Sequence, residues 1–410
     1  MTQNKIVKNT SMLYLMNIAK MIFPLVTLPY LARVLSVEGY GAVAYIKATM
    51  QYMQLMIDFG FLLSGTKDIV LAGKDPNKLD REVGNIMCAR LLLSSIAFGA
   101  LLVLISAIEL LRQNILYTLL SFVVVFLTIF LFDFFFRGIE KMEVITIQFV
   151  LMKGISTALT FVFVHNDADI LWMPILDICG SLVAVGCAWY QLKKAKVKIK
   201  PSGFRDIFAK LKASAIYFFS DIATTAYNAL NTLLIGIYLS ATEVAYWSLC
   251  MQLVGAAQSL YSPITNGIYP HMVRTRSRKL IRKTLKIFLP LVALGCAFTF
   301  CVSKYALLII GGEKYVAAEN ILRLLIPVMF FGFPAMLFGW PMLGAIGKQK
   351  ETSLTTVFTA VFQITALCLL IAIGQFNLLS IVILRSITEA VLFGMRYFVY
   401  RKNIHCFEMN

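Results

Sequence analysis

Two lysines sit where a chain seldom places charge. Lys20 falls inside the apolar run NIAKMIFPLVTLPY (17–30), and Lys47 inside a second apolar run that starts near residue 39. An ammonium group at mid-membrane costs about 2.5–3.5 kcal/mol on insertion scales, and is tolerated where it faces water and an anion. The chemistry offered is therefore electrostatic capture of a negative group, with no bond made or broken. Polar residues recur beside each lysine at helical offsets of about 3, 4 and 7, which share one face. One stripe runs Asn17, Lys20, Pro24, Thr27, and another runs Lys47, Gln51, Gln54, Asp58. Two further stripes lie in the second half of the chain: Asp221, Thr225, Asn228, Thr232 with Asn231 beside them, and Gln252, Gly255, Ser259, Ser262, Asn266. Together they predict a shared water-filled cleft, with Lys20 and Lys47 giving it a positive field. Ordinary hydrogen bonding between helices uses the same Asn, Gln, Ser and Thr, and stays open as the alternative.

Other groups extend the chemistry or limit it. Asp58, Asp177 and Asp221 are candidate carriers of H+ or Na+, since a carboxylate removed from water can exchange its proton. Helix capping or pairing with basic residues is the competing reading for each. Lys153 and Asp177 are either an ion pair or cavity lining, and Arg385 and Glu389, four apart, are expected to pair. Arg90, Asp133 and Arg396 fall near one membrane boundary and Arg323 near the other, so snorkelling is expected of the three cations. Pro24 and Pro29 let the first helix bend and free backbone groups. Pro327, Pro334 and Pro341 are seven apart on one face, which suggests a kinked gating helix or plain curvature. The eight cysteines and three histidines have no metal-ligand spacing, and no P-loop is present. No cofactor, metal or direct ATP drive is expected.

The elements that position these groups follow from composition. Of 410 residues, 59% are hydrophobic and 14% charged, with mean hydropathy +0.79. Soluble chains average about 45–50% apolar and about 25% charged. Twelve apolar stretches are long enough to span a membrane: 11–33, 39–63, 86–109, 115–136, 147–164, 170–191, 214–238, 244–270, 285–310, 321–345, 354–374 and 378–399. The first is too long for a signal peptide and has no cleavage site, so it is expected to stay as a membrane helix. Loops on one side, with both termini, carry 27 Lys and Arg, whereas the other side carries Arg33, Arg112 and Lys314. Positive charge stays cytoplasmic, so both termini are expected there. The net charge of +17 is then a loop bias beside anionic lipid rather than a nucleic-acid surface.

The most basic loop, KKAKVKIKPSGFR (193–205), divides six stretches from six. SMLY (11–14) followed by LSVEGYG (35–41) is echoed by SAIY (214–217) followed by LSATEVAY (239–246). The spacing predicts a parallel pseudo-repeat: an N-lobe over 1–200 and a C-lobe over 201–410, an all-α integral membrane bundle.

These residues carry a resemblance. TLPYLARVLSVEGYGAVAY (27–45), DFGFLLSGTKDI (58–69), FRGIEKMEVITI (136–147), SAIYFFSDIATTAYNALNTLLIG (214–236) and PITNGIYPHM (263–272) are similar to the polysaccharide flippases of the MOP exporter superfamily, the Wzx or O-antigen type. The resemblance implies a V-shaped, MATE-like bundle of twelve helices working by alternating access in the bacterial inner membrane. It implies a cargo of undecaprenyl-pyrophosphate-linked oligosaccharide, moved from the cytoplasmic to the periplasmic leaflet, with a polymerase and chain-length machinery as candidate partners. The implied cationic cavity would be filled by Lys20 and Lys47, with lysine acting as a point charge for phosphate. Arg137 stands where members commonly carry glutamine. Three rivals are a multidrug or cation antiporter of the same superfamily, a membrane polymerase or glycosyltransferase, and a scaffold. The lysines oppose the first, the short outer loops the second, and the cost of embedded charge the third.

Overall fold

The structure, a computed structural model, describes residues 3–73 and 75–407, and within its helices a few side chains, among them that of Asn228, lie outside the described ones. Among the described residues every regular element is a helix. The chain forms two compact units, Met1–Thr225 and Ala226–Asn410.

The first unit contains α1 (Gln3–Val34), α2 (Val37–Asp58), α3 (Phe61–Ala72), α4 (Pro76–Ala107), the short α5 (Glu109–Gln113), α6 (Ile115–Leu127), α7 (Asp133–Gly138), α8 (Met142–Phe163), α9 (Trp172–Lys194) and the start of α10 (Phe204–Tyr238). The second unit continues with the rest of α10, then α11 (Ala241–Ser259), α12 (Tyr261–Thr275), α13 (Arg278–Gly311), α14 (Glu319–Leu324), α15 (Ile326–Leu337), α16 (Gln349–Ala372) and α17 (Leu378–Lys402).

The repeated sequence landmarks become repeated local structure. Ser36 starts α2 by accepting a hydrogen bond from the Gly39 amide at 2.9 Å. Ser240 starts α11 with a reciprocal cap: its hydroxyl accepts from the Glu243 amide at 3.3 Å, and the Glu243 carboxylate accepts from the Ser240 amide at 3.0 Å. In both places a long helix, a serine cap and a second helix follow in the same order. Both second helices are also interrupted, one at Phe59–Gly60 and the other at Leu260.

The first interruption has a clear cause. Phe59 and Gly60 both adopt left-handed backbone angles, with φ of 42° and 75°. Gly60 lies against the start of α10, where a Cβ would stand 2.5 Å from Tyr217 Cβ and 2.9 Å from the Phe218 nitrogen. Only glycine allows that approach in that conformation. Phe59 stacks on Phe218 at 4.3 Å, and the Ser64 and Ser214 hydroxyls meet at 2.6 Å.

The basic loop that marks the divide in the sequence lies within the first unit. Asp80, buried on α4, accepts from the Lys198 amide at 2.7 Å, and Asn85 accepts from the Ser202 amide at 2.7 Å. Lys210 then bridges Asp68 at 2.8 Å and Glu82 at 2.6 Å. Polar groups on α3 and α4 thus hold the chain through residue 210, and the boundary between units moves into α10.

By length and composition nine helical segments of the described residues can cross a membrane. They correspond to nine of the twelve stretches in the sequence. The remaining three coincide with α2, α10 and α11–α12, the elements that carry most of the polar stripes. Large apolar side chains stand exposed on the outside, as on α13, where Leu294 is 67% and Phe298 65% accessible. Exposed apolar surface on this scale marks a lipid-facing wall, and the chain is a multi-pass membrane protein.

Candidate functional site

Lys20 and Lys47 both project from the first unit as exposed side chains. Among the described residues neither forms a salt bridge. Lys20 lies over the Phe149 ring of α8, its Nζ 5.4 Å from the centroid. Such a contact contributes about 0.5–1 kcal/mol at an exposed site. It steers the ammonium without neutralising it.

A cavity of about 120 Å3 opens beside Lys20. Its wall includes Asp133 and Arg137 of α7 and Gln148 of α8. At about 30 Å3 per water, the space suits a few waters or one phosphate-sized group. Gln148 is 2% exposed, and among the described residues neither its Nε2 nor its Oε1 has a hydrogen-bond partner. Arg137 Nε is likewise buried and unpartnered. An orphaned buried polar group costs about 1–3 kcal/mol, so three such atoms at one cavity suit it to a polar group that can pair with them. Two cations and one carboxylate leave the wall formally positive. Asp133 is close enough to feel Arg90, Asp58, Arg137 and Lys20.

Lys47 belongs to a second charged group. It is exposed yet hemmed in by protein, and Lys153 and Asp177 are the charges acting on it. Lys153 Nζ lies 3.0 Å from Asp177 Oδ1, and the Ser156 hydroxyl donates to the same oxygen at 2.7 Å. Lysine 153 is thus spent on Asp177, and Lys47 remains as the unmatched charge.

Asp58 closes the polar stripe of α2. Arg90 Nη2 lies 2.5 Å from its Oδ1, and Gln54 Nε2 donates to its Oδ2 at 2.8 Å. Gln54 also meets Thr128 in the break after α6, and Arg90 Nη1 donates to the Thr128 carbonyl at 3.3 Å. Arg90 is 5% exposed. It does not snorkel as its sequence position suggested, because Asp58 and the Thr128 carbonyl hold it inside. Asp221 is half-buried, with the like-charged Asp58 as its electrostatic neighbour.

Asn17, Gln51 and Pro24 are exposed along the same helices as the lysines. The Thr27 hydroxyl is used within α1, donating to the Phe23 carbonyl at 3.0 Å. Helix α1 continues through Pro24 and Pro29. Each proline removes one backbone donor, which strips the carbonyls of Lys20 and Leu25 of their helical partners.

In the second unit, Asn231 is buried and its side-chain oxygen accepts from Gln363 of α16 at 3.0 Å, inside the bundle. Gln252 and Ser259 lie half-buried on α11, and the Ser259 hydroxyl donates to the Ala256 carbonyl at 2.5 Å. The Asn228 side chain lies outside the described ones. Pro327 occupies the first turn of α15, where no hydrogen bond is lost, and α15 runs through Pro334. The kink falls at Gly339, with ψ −121°, two residues before Pro341. Arg385 and Glu389 pair at 3.2 Å, both buried. Arg323 pairs with Glu319 at 2.6 Å instead of reaching for the boundary.

Sequence reading assigned neither Gln148 nor Arg137 to the site. Gln148 sits in an unremarkable helical context, and its orphaned amide shows only when α1, α7 and α8 are packed together.

A fold with these helices occurs in known transporters. An inward-closed structure of the lipid II flippase MurJ matches with TM-score 0.70 at 14% identity, covering 96% of this chain and 87% of that one. An inward-facing MATE-family multidrug resistance transporter of the MOP superfamily matches with TM-score 0.68 at 16% identity, over 95% and 94%. The chain therefore shares the fold of these two transport proteins.

At the level of sequence, a family described as polysaccharide biosynthesis protein matches residues 6–276, and the chain belongs to that family. A Shigella dysenteriae protein named for O-antigen transport is 24% identical over 363 residues, 87% of this chain and 91% of its own length. One of the same name from Escherichia coli strain K12 is 24% identical over 371 residues, 86% and 87%. The names of these relatives describe transporters and a flippase, not enzymes.

Proposed function

We propose that this protein is a flippase for lipid-linked oligosaccharide, which it carries from the cytoplasmic to the periplasmic leaflet of a bacterial inner membrane by alternating access. The observation that carries the reading is the net-positive cavity beside Lys20, lined by the orphaned Gln148 and Arg137. A lipid-linked glycan has an anionic pyrophosphate, a polar head and a long apolar tail. Lys20 and Arg137 would hold the pyrophosphate as charges, and the Gln148 amide would donate to it. Asn17, Gln51 and Lys47 would offer the glycan a wet surface. The tail would stay in the bilayer.

With α2, α10 and α11–α12 taken as crossings, the total is the twelve counted from sequence, and the basic loops and both termini fall in the cytoplasm. Coupling to H+ or Na+ is assigned to Asp221 ahead of Asp58 and Asp177, since Arg90 and Lys153 already hold the latter two. The reaction needs no cofactor, and a polymerase with its chain-length machinery would receive the cargo. The MATE likeness supports a second reading, a cation antiporter, but two uncompensated lysines would repel cationic cargo.

Deleting the protein in its host tests the proposal. Lipid-linked repeat units should accumulate on the inner leaflet and surface glycan should be lost, both restored by the wild-type chain. Normal surface glycan in the deletion strain would contradict the reading.

A further inference from the structure

The second unit holds a larger cavity, of about 370 Å3, that none of the roles above uses. Its wall brings together Thr265, Asn266 and Tyr269 of α12 with Trp340 and with Arg396 of α17. The volume falls within the range of about 300–1,000 Å3 typical of small-molecule pockets.

The kink builds this cavity. At Gly339 the backbone leaves the helical region, and the chain continues as a wide turn over Phe338–Leu343. Phe338, on one side of the bend, is 2% exposed and packs among Phe393, Tyr397 and Tyr400. Trp340, on the other side, is 53% exposed. A Cβ at the bend would stand 2.9 Å from Arg396 Nη1, so a side chain there would have to displace the guanidinium. Arg396 is itself fixed, donating to the Ala335 carbonyl at 2.6 Å and to the Thr356 hydroxyl at 3.1 Å. The result is a half-exposed indole and a phenol beside an amide, a hydroxyl and a positioned guanidinium.

That set of groups matches one ligand chemistry. A pyranose ring has a face of C–H groups that lies on an aromatic ring and a rim of hydroxyls that needs donors and acceptors. Trp340 and Tyr269 supply the first requirement, and Asn266, Thr265 and Arg396 the second. Tryptophan and tyrosine also collect at membrane interfaces as anchors. A plain anchor does not call for Thr265, Asn266 and a positioned guanidinium in the same wall. The cavity also lies where α12 and the Gly339 turn lead into the basic loops at 274–283 and 346–353. Under the orientation above, that is the end at which cargo is loaded.

We propose that the cavity between Trp340, Tyr269 and Asn266 is a carbohydrate-binding subsite that holds a sugar ring of the cargo. The inference rests on the transport reading and adds a glycan contact separate from the Lys20 anion site.

The test uses the full-length protein in lipid nanodiscs. Two probes are compared: lipid-linked repeat unit extracted from a host strain lacking this protein, and farnesyl pyrophosphate, which has the head group but no sugar. Trp340→Ala should weaken binding of the glycolipid about tenfold and leave farnesyl pyrophosphate unchanged, with Trp340→Tyr restoring most of the loss. Tyr269→Ala should act in the same direction. Unchanged glycolipid affinity in Trp340→Ala overturns the subsite and leaves the transport reading standing. A fall in membrane abundance with unchanged affinity per molecule overturns it in favour of an interfacial anchor. No binding of either probe by the wild-type protein overturns both readings.

Discussion

Lys20 holds its ammonium 5.4 Å from the centre of the Phe149 ring, with no carboxylate within salt-bridge reach among the described residues. An aromatic face orients a cation weakly, by about 0.5–2 kcal/mol. A carboxylate in the same place would hold it far more tightly and cancel its charge. The arrangement keeps a membrane-embedded cation in position and still available to an anion. The cost of placing it there is recovered only when such an anion binds.

The cavity beside Lys20 should therefore depend on its other donors. Replacing Gln148 by leucine removes the orphaned amide at similar volume. Transport should fall about tenfold to a hundredfold, the worth of about one hydrogen bond to a charged group, while protein abundance holds or rises. Arg137→Gln should also lower transport, and Arg137→Lys should retain most of it. Surface glycan per molecule of membrane protein is the measurement, and equal yields in all three variants would remove these residues from the site.

Arg90 and Asp58 make a different kind of pair: Arg90 is buried, while the Asp58 side chain is 40% accessible. Arg90→Ala leaves the Asp58 charge without its partner and should destabilise the first unit by about 1–3 kcal/mol. The double variant Arg90→Ala with Asp58→Asn removes both charges and should recover a large part of that loss. Thermal unfolding in detergent reads the difference. A double variant no more stable than Arg90→Ala would show that the pair is not coupled.

The helix break at Phe59–Gly60 should tolerate no side chain. Gly60→Ala places a Cβ at positive φ, at about 1–2 kcal/mol, and drives it against Tyr217 and the α10 backbone. Lower melting temperature and lower membrane abundance are expected. Gly99→Ala, where a Cβ meets open space, is the matched control and should leave both unchanged.

The clasp on the basic loop has a defined pH response. Burial disfavours the Lys210 charge, but hydrogen bonds and attraction from Asp68 and Glu82 prevail and raise its pKa above 10.5. For a lysine with a raised pKa, the stabilisation is fully present below the unfolded value and is lost as pH rises through the folded one. Proteolysis of the loop at 195–203 should therefore stay constant between about pH 6 and 9, and should accelerate in Lys210→Ala. A loop released within that pH window would contradict the assignment.

Much of this architecture is legible in the sequence because membranes impose simple rules. Apolar length marks a crossing, serine followed by glutamate marks a helix start, and basic loops mark a side. Ser36 and Ser240, which stand in the repeated motifs, both cap their helices. Pairings across helices are less accessible. Arg90 looks like a boundary residue until Asp58 is placed beside it, and Arg396 until the Ala335 carbonyl is. The kink near Pro341 is announced by the proline, but the backbone leaves the helix at Gly339, against the guanidinium of Arg396. Arg137 and Gln148 join Lys20 only through the packing of three helices, which no spacing along one helix reveals.

The central claim is that uncompensated lysines on the first unit capture an anionic head group. Its most direct test is the double variant Lys20→Ala with Lys47→Ala, expressed in the deletion strain at wild-type membrane abundance. The account predicts that surface glycan is lost and that lipid-linked repeat units accumulate on the inner leaflet. Wild-type surface glycan from that variant would contradict it.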